Sequence, residues 1–425
     1  MKKYCLSQTI YVGLLSFLCS AFLLLNGCKE EKGVSLFDPT VKGQTAPTID
    51  TITSSTATPL AGVSVLTLTG KNFSTKNADN IVYFESLKQT IAVKAEVRTS
   101  AADKITVKTP SLVDDSVLVK ATVTGAQLYS NTKVLRVEAA VFEFGGLTPT
   151  EEAIGLACDT AGNVYGSIVN IVSGGIGIRR MFSVPGVLDT SRELYAPTGG
   201  FKQFQNLKMG PNNVLYGLRL PRILYTIAAK GAAPVVWTQV SGASLYDLDF
   251  SKSGGEYYIW TGGNDTALYR IKLTDKSVQS YSFTGQVRSV RVYNNNVYVA
   301  AKVDSTEGVW QFPITVSNDL GPATKYFDLS AQPGYGYNGP EADAITFNAD
   351  GDMYLGTSSS DAILLVHSNK SYEVFYSGLL LPKPVAFAWG KGPSLYYSRG
   401  GDAAHIIVKI NTLKTSAPYF GRGDQ

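Results

Sequence analysis

Two aspartates and one arginine are placed where they could do chemistry. Asp247 stands before the alternating stretch LDF, Asp343 before AITF, and Arg288 before SVRV. Carboxylates at such places offer hard oxygen ligands to calcium. A guanidinium there grips a carboxylate or phosphate as a planar fork. Glu152, Gln205 with Asn206, Tyr246, and Lys383 with Pro384 hold the corresponding places elsewhere in the chain. Tyr335, Tyr337, Asn338 and Glu341 share the Gly- and Pro-rich segment QPGYGYNGPE. Exposed Tyr rings on such a loop stack on sugar rings, with the amide and carboxylate bonding hydroxyls. A second loop of this kind is PTGGFKQF, residues 197–204. The competing reading is that the charged groups pair with one another and the tyrosines pack inward.

Other chemistry is disfavoured. The chain has two histidines, His367 and His405, both in third-strand positions of the repeats described next, so a histidine metal cluster or a Ser–His–Asp triad is not expected. Cys158 is the one cysteine of the folded body, which rules out an intrachain disulfide there. Its alternating context reads as a small buried apolar residue.

The elements that must position these residues are repeated hairpins. Residues 153–169, AIGLACDTAGNVYGSIV, read as strand, polar turn and strand. The second-strand tyrosine returns as Tyr216, Tyr258, Tyr298, Tyr354 and Tyr396. Each follows a polar turn and precedes a third strand, such as ILYTI, LYRIKL or GVWQF. A four-stranded unit with a period of roughly 40 to 50 residues is a propeller blade, and six copies predict a six-bladed β-propeller over residues 141–425. The first strand of each blade then lines the channel, and the residues opening those strands form one rim. Val141 to Phe144 and Ser416 to Phe420 compete to supply the last outer strand.

The Asp/Asn–Gly turn before an aliphatic–Tyr strand resembles NHL-type six-bladed propellers. Propeller lactonases of similar shape bind calcium through Glu, Asn and Asp on inner strands, and that resemblance implies Asp247, Asp343, Asn206 and Glu152 as an imitation of the set. Upstream, residues 46–139 combine Ala46-Pro47-Thr48-Ile49, Pro59, Gly62, alternation from Val63 to Thr69, and Gly70-Lys71-Asn72-Phe73. This pattern resembles the IPT/TIG immunoglobulin-like family, which implies a β-sandwich serving as spacer or interaction module.

Residues 1–27 have Lys2 and Lys3, an apolar run, and Leu25-Asn26-Gly27 before Cys28. This is a secretory leader whose ending resembles a bacterial lipobox, so Cys28 is the expected lipidation site. Lys29-Glu30-Glu31-Lys32 resembles the surface-export signal of Bacteroidota lipoproteins, and residues 28–45 read as a tether. An outer-membrane lipoprotein, facing the cell surface or the periplasm, is the expected location. The 425 residues carry 44% hydrophobic and 17% charged side chains, enough apolar material for more than one core. The net charge of +4 is spread without a basic stripe, which disfavours nucleic acid as a partner.

The sequence therefore predicts an all-β chain, an immunoglobulin-like sandwich followed by a six-bladed propeller. The expected function is capture of a glycan or nutrient at the propeller rim through Gln205, Asn206, Tyr246, Asp247, Arg288, Tyr335, Tyr337, Asn338 and Asp343. No cofactor is required, with calcium at Asp247 and Asp343 left open. The alternatives are a calcium-assisted hydrolase or lyase, and a scaffold for an envelope protein partner.

Overall fold

The computed structural model describes residues 43–174, 176–183, 190–197, 203–228, 231–336, 339–401 and 406–423. Cys28, Tyr337, Asn338, His405 and the centre of the 197–204 loop lie outside the described residues. Among the described residues no helix is long and apolar enough to cross a membrane.

The first unit is a sandwich of two antiparallel four-stranded sheets. One contains Thr48–Ser54, Val65–Lys71, Lys104–Lys108 and Glu96–Ala101 in spatial order; the other contains Ile91–Lys94, Asn80–Ser86, Asp114–Val123 and Lys133–Val137. Alternation aims Leu66, Leu68, Val82, Phe84, Ile105, Val107, Val117 and Val119 into one core. Gly70 is needed for close approach: a Cβ there would lie 1.8 Å from the Thr48 carbonyl oxygen. Phe73, three residues on, is buried in the same core.

The second unit is a six-bladed β-propeller. Its inner strands are Glu151–Cys158, Asn206–Met209, Asp247–Ser253, the second half of Val278–Tyr293, Ala342–Phe347 and Pro384–Trp389. Each inner strand packs on the next, and the sixth packs back on the first, so the ring closes. Val278–Tyr293 is one 16-residue strand that serves as the outer strand of blade 3 and the inner strand of blade 4. Val141–Phe144 pairs with Ile407–Asn411 and completes blade 6 from the N-terminal side. Phe144 is buried and meets the Tyr396 ring at 4.8 Å. Ser416 to Phe420 instead crosses the far end of the channel: Ala417 N–H donates to the Phe347 carbonyl, and the Tyr419 ring packs 6.4 Å from Phe250.

The recurring tyrosines join blades. Tyr216 meets Phe250, Tyr298 meets Phe347, and Tyr354 meets Trp389, at centroid distances of 5.1, 4.7 and 5.7 Å. In each case the partner is an aromatic residue on the inner strand of the next blade. Such pairs contribute about 0.5–1.5 kcal/mol each beyond burial.

Candidate functional site

An inner strand has one unpaired edge facing the channel, and its buried N–H groups need acceptors. Blade 3 supplies them with alternate carboxylates. Asp247 accepts from Val290 N–H and Asp249 from Val292 N–H, each at 2.8 Å. Asp247 also accepts from Asn206 Nδ2, Leu248 N–H, Ser289 Oγ and Arg291 Nη1. Arg291 in turn reaches the Phe387 carbonyl of blade 6. Asp247 and Asn206 are both buried. They are therefore structural groups of the channel wall and not rim ligands, contrary to the expectation from sequence.

The reason is register. Four inner strands carry an extra residue near their start, opposite a continuous second strand. It is Ile154-Gly155 in blade 1, Arg288 in blade 4, Asp343 in blade 5 and Val385 in blade 6. A bulge re-aims the extra side chain out of the ladder, and Ile154, Arg288, Asp343 and Val385 all line one cavity of about 480 Å³ at the rim. Blades 2 and 3 pair regularly from Asn206↔Leu218 and Asp247↔Gly262, so those residues stay in the wall. The residues just before them, Gln205 and Tyr246, reach the cavity instead. Asn264 and Gln286 add amides, and Tyr246 is 38% exposed at the mouth.

The charged wall is internally ordered. Arg288 holds Glu307 with two hydrogen bonds, Nη1 to Oε2 at 2.9 Å and Nη2 to Oε1 at 3.1 Å, and approaches Glu341 at 3.4 Å. Lys383 Nζ donates to Glu341 at 2.5 Å and lies 3.9 Å from Asp343 Oδ1. The hydrogen bond from Lys383, helped by the charge of Arg288, holds the Glu341 carboxyl below its usual range. Burial pushes Asp343 up to about 7 against the opposing charge of Lys383, with Glu341 and Glu307 adding to the rise. Asp343 Oδ2 is buried without a hydrogen-bond partner.

Because the folded carboxyl titrates near 7 and the unfolded one near 3.8, ionising Asp343 costs stability. Its contribution is intact at acid pH, falls as pH rises from 3.8 to about 7, and is flat above. Asp343→Asn is therefore expected to raise the melting temperature at pH 8 and to leave it nearly unchanged at pH 4. Thermal melts at both values check this; a variant less stable at pH 8 contradicts it.

The Tyr loop is also corrected. Tyr335 is buried, its hydroxyl donates to Asp361 Oδ2 at 2.5 Å, and its ring packs 6.4 Å from Tyr372. It is part of the blade 4–blade 5 core and not a stacking platform. Pro384 is likewise buried. The calcium set does not form: Asp247 is enclosed by protein donors, and Asp343 has Lys383 as its near charge. Among the described residues no group of three or more His, Cys, Asp or Glu side chains is arranged to hold a metal ion. His367 pairs with Asp352 at 3.0 Å, away from the rim cavity.

A second cavity of about 70 Å³ lies inside the far end of the channel, beneath the C-terminal crossing. Cys158, Lys208, Asp249 and Arg291 line it, with Tyr419 and Arg422 over it. Burial lowers Lys208 to about 8 and raises the Cys158 thiol to about 12, so the thiol is protonated and unreactive at neutral pH. Arg422, which heads an Arg-Gly-Asp tripeptide in the sequence, donates to the Trp389 carbonyl and is part of this closure.

The rim residues not foreseen include Asn264 and Gln286 and two arginines, Arg399 and Arg219. Both arginines end second strands, Ser394–Arg399 and Leu215–Arg219, whereas the repeat register draws attention to inner strands only. Arg219 lines a cavity of about 270 Å³ with Leu220, Gln203, Gln205 and Ile154.

A family model for the IPT/TIG domain matches residues 47–136, the sandwich described above. No curated protein matches the chain. Among solved structures, a protein of unknown function from Bacteroides thetaiotaomicron aligns with a TM-score of 0.48 and 13% identity, covering 88% of this chain and 99% of that one. Virginiamycin B lyase from Staphylococcus aureus aligns with a TM-score of 0.41 and 14% identity, covering 71% of this chain and 93% of that one.

Proposed function

We propose that this protein is a lipid-anchored envelope protein of a Bacteroidota-like bacterium that captures a glycan at the propeller rim. The observation that carries the reading is the 480 Å³ cavity, where three amides, a half-exposed Tyr246 and an ordered set of charges converge. Its size is ordinary for a small-ligand site, and amides with one aromatic face suit hydroxyl-bearing rings. Cys28 carries the lipid in this reading, the IPT/TIG-like sandwich is the spacer, and the partner is a polysaccharide at the cell surface. Tyr246 takes the stacking role first expected of Tyr335 and Tyr337. Wild-type protein should be retarded on a polysaccharide affinity gel, and Tyr246→Ala should lose most of that retardation. Equal mobility of the two proteins on every polysaccharide tried would refute the reading.

One observation favours a second reading, a propeller hydrolase or lyase. Asp343 lines the cavity, keeps one buried oxygen without a hydrogen-bond partner, and has its carboxyl raised by burial to about 7, near the working pH of a general acid or base. Release of soluble fragments from a bound polysaccharide by wild type, and not by Asp343→Asn, would support it. Absence of fragments from every polysaccharide that binds would exclude it.

A further inference from the structure

The 480 Å³ cavity is not isolated. The 270 Å³ cavity beside it shares two wall residues, Ile154 and Gln205. Ile154 belongs to the bulge of blade 1, so the shared wall is that blade's displaced side chain. The two cavities therefore form one groove passing over the inner strand of blade 1. Its flanks are blades 6 and 2, and each contributes an arginine from the end of its second strand.

These two arginines differ from the other cations of the rim. Arg288 is held by Glu307, and Lys383 by Glu341. Among the described residues neither Arg219 nor Arg399 has a carboxylate within ion-pair distance. Arg399 donates its Nε to the Pro382 carbonyl at 2.7 Å, which fixes the side chain through a neutral acceptor. A guanidinium beside a groove, with no carboxylate in ion-pair distance among the described residues, is suited to a carboxylate or sulfate of a ligand.

We propose that the groove is built for an acidic oligosaccharide, one unit seated in the central cavity near Arg399 and the next passing over Ile154 to Arg219. This rests on the glycan reading above and adds two requirements, negative charge and chain length. Amide groups on the shared wall, Gln205 above all, bond hydroxyls of both units. The aliphatic face of Ile154 supports the linkage between them.

The test uses the whole chain and three probe series, each from one to four sugar units: oligogalacturonates, sulfated carrageenan oligosaccharides and neutral cello-oligosaccharides. Titration calorimetry at low salt should show that one acidic series binds about tenfold more tightly at four units than at one. That affinity should fall at 0.5 M salt, where charges are screened within about 3–5 Å. The two acidic series distinguish carboxylate from sulfate. Arg219→Gln should weaken binding of the four-unit acidic probe about tenfold. Circular dichroism establishes that this variant is folded. Neutral probes binding as tightly as acidic ones, affinity independent of length, or an Arg219→Gln protein that binds like wild type would each overturn the inference while leaving glycan capture standing. Failure of all three series to bind would overturn both.

Discussion

Asp247→Ala is expected to lower the unfolding free energy of the propeller by about 3–5 kcal/mol, the scale for removing one partner of a buried ion pair. Arg291, with 8% of its side chain exposed, would lose its only carboxylate contact within ion-pair distance among the described residues. Val290 N–H and Ser289 Oγ would lose their acceptor in the same step. Those groups belong to blade 4, while Asn206 belongs to blade 2, so one carboxylate joins three inner strands. All four tryptophans, Trp237, Trp260, Trp310 and Trp389, lie in the propeller. Their fluorescence during urea unfolding reports that unit without interference from the sandwich. A loss below about 1 kcal/mol would show that water replaces the carboxylate at little cost, and that Asp247 does not tie the blades.

Deleting residues 141–144 is expected to abolish the cooperative unfolding transition of the propeller. The deletion removes the outer strand of blade 6 and exposes the edge of Ile407–Asn411. It also removes Phe144, which packs in one cluster with Leu156, Met181 and Tyr396 between blades 6 and 1. Loss of the Phe144 side chain alone costs about 3–5 kcal/mol. Phe144→Ala is the milder comparison and should give a weakened but still cooperative transition in the same fluorescence experiment. A deletion variant with unchanged cooperativity would mean that the ring stays closed without this strand. The closing strand follows Val137, the last sandwich strand residue, after three residues, and Ala140 accepts from Asn411 N–H. The sandwich is thus joined directly to the blade that closes the ring.

These two expectations rest on parts of the molecule that differ in how readily they are read from sequence. The blades were legible because their signal is local. A polar turn followed by an aliphatic–Tyr pair recurs six times, and each copy states its own strand alternation. Burial of Tyr165, Tyr216, Tyr298, Tyr354 and Tyr396 follows from that alternation. The Gly-x-Asn-Phe turn of the sandwich was legible for the same reason, although the need for Gly70 comes from a contact with Thr48 and not from its own backbone angle.

The site was legible only to within one residue. Gln205, Tyr246, Arg288, Asp343 and Lys383, all at inner-strand starts, line the rim cavity. Asn206 and Asp247 do not, because a one-residue change of register turns a side chain from the channel mouth into the wall. The bulges that set this register in blades 1, 4, 5 and 6 have no local signature; they depend on how each inner strand meets its neighbours. Tyr335 shows the same limit. Its Gly-rich surroundings read as an exposed loop, yet Asp361 and Tyr372, distant in sequence, draw it into the core.

By itself, then, the amino-acid order determined the number of blades, the sandwich before them, and the ring of positions from which a site is built, since periodicity and turn chemistry are properties of short segments. Tertiary structure alone decided which carboxylate lines the rim cavity and which holds the channel together. Asp343, on a bulge, lines the rim cavity and keeps one buried oxygen unsatisfied. Asp247, in regular register, is enclosed by donors from three blades. The two residues have the same chemistry, and the difference between them is the desolvation and hydrogen bonding that only the assembled ring supplies.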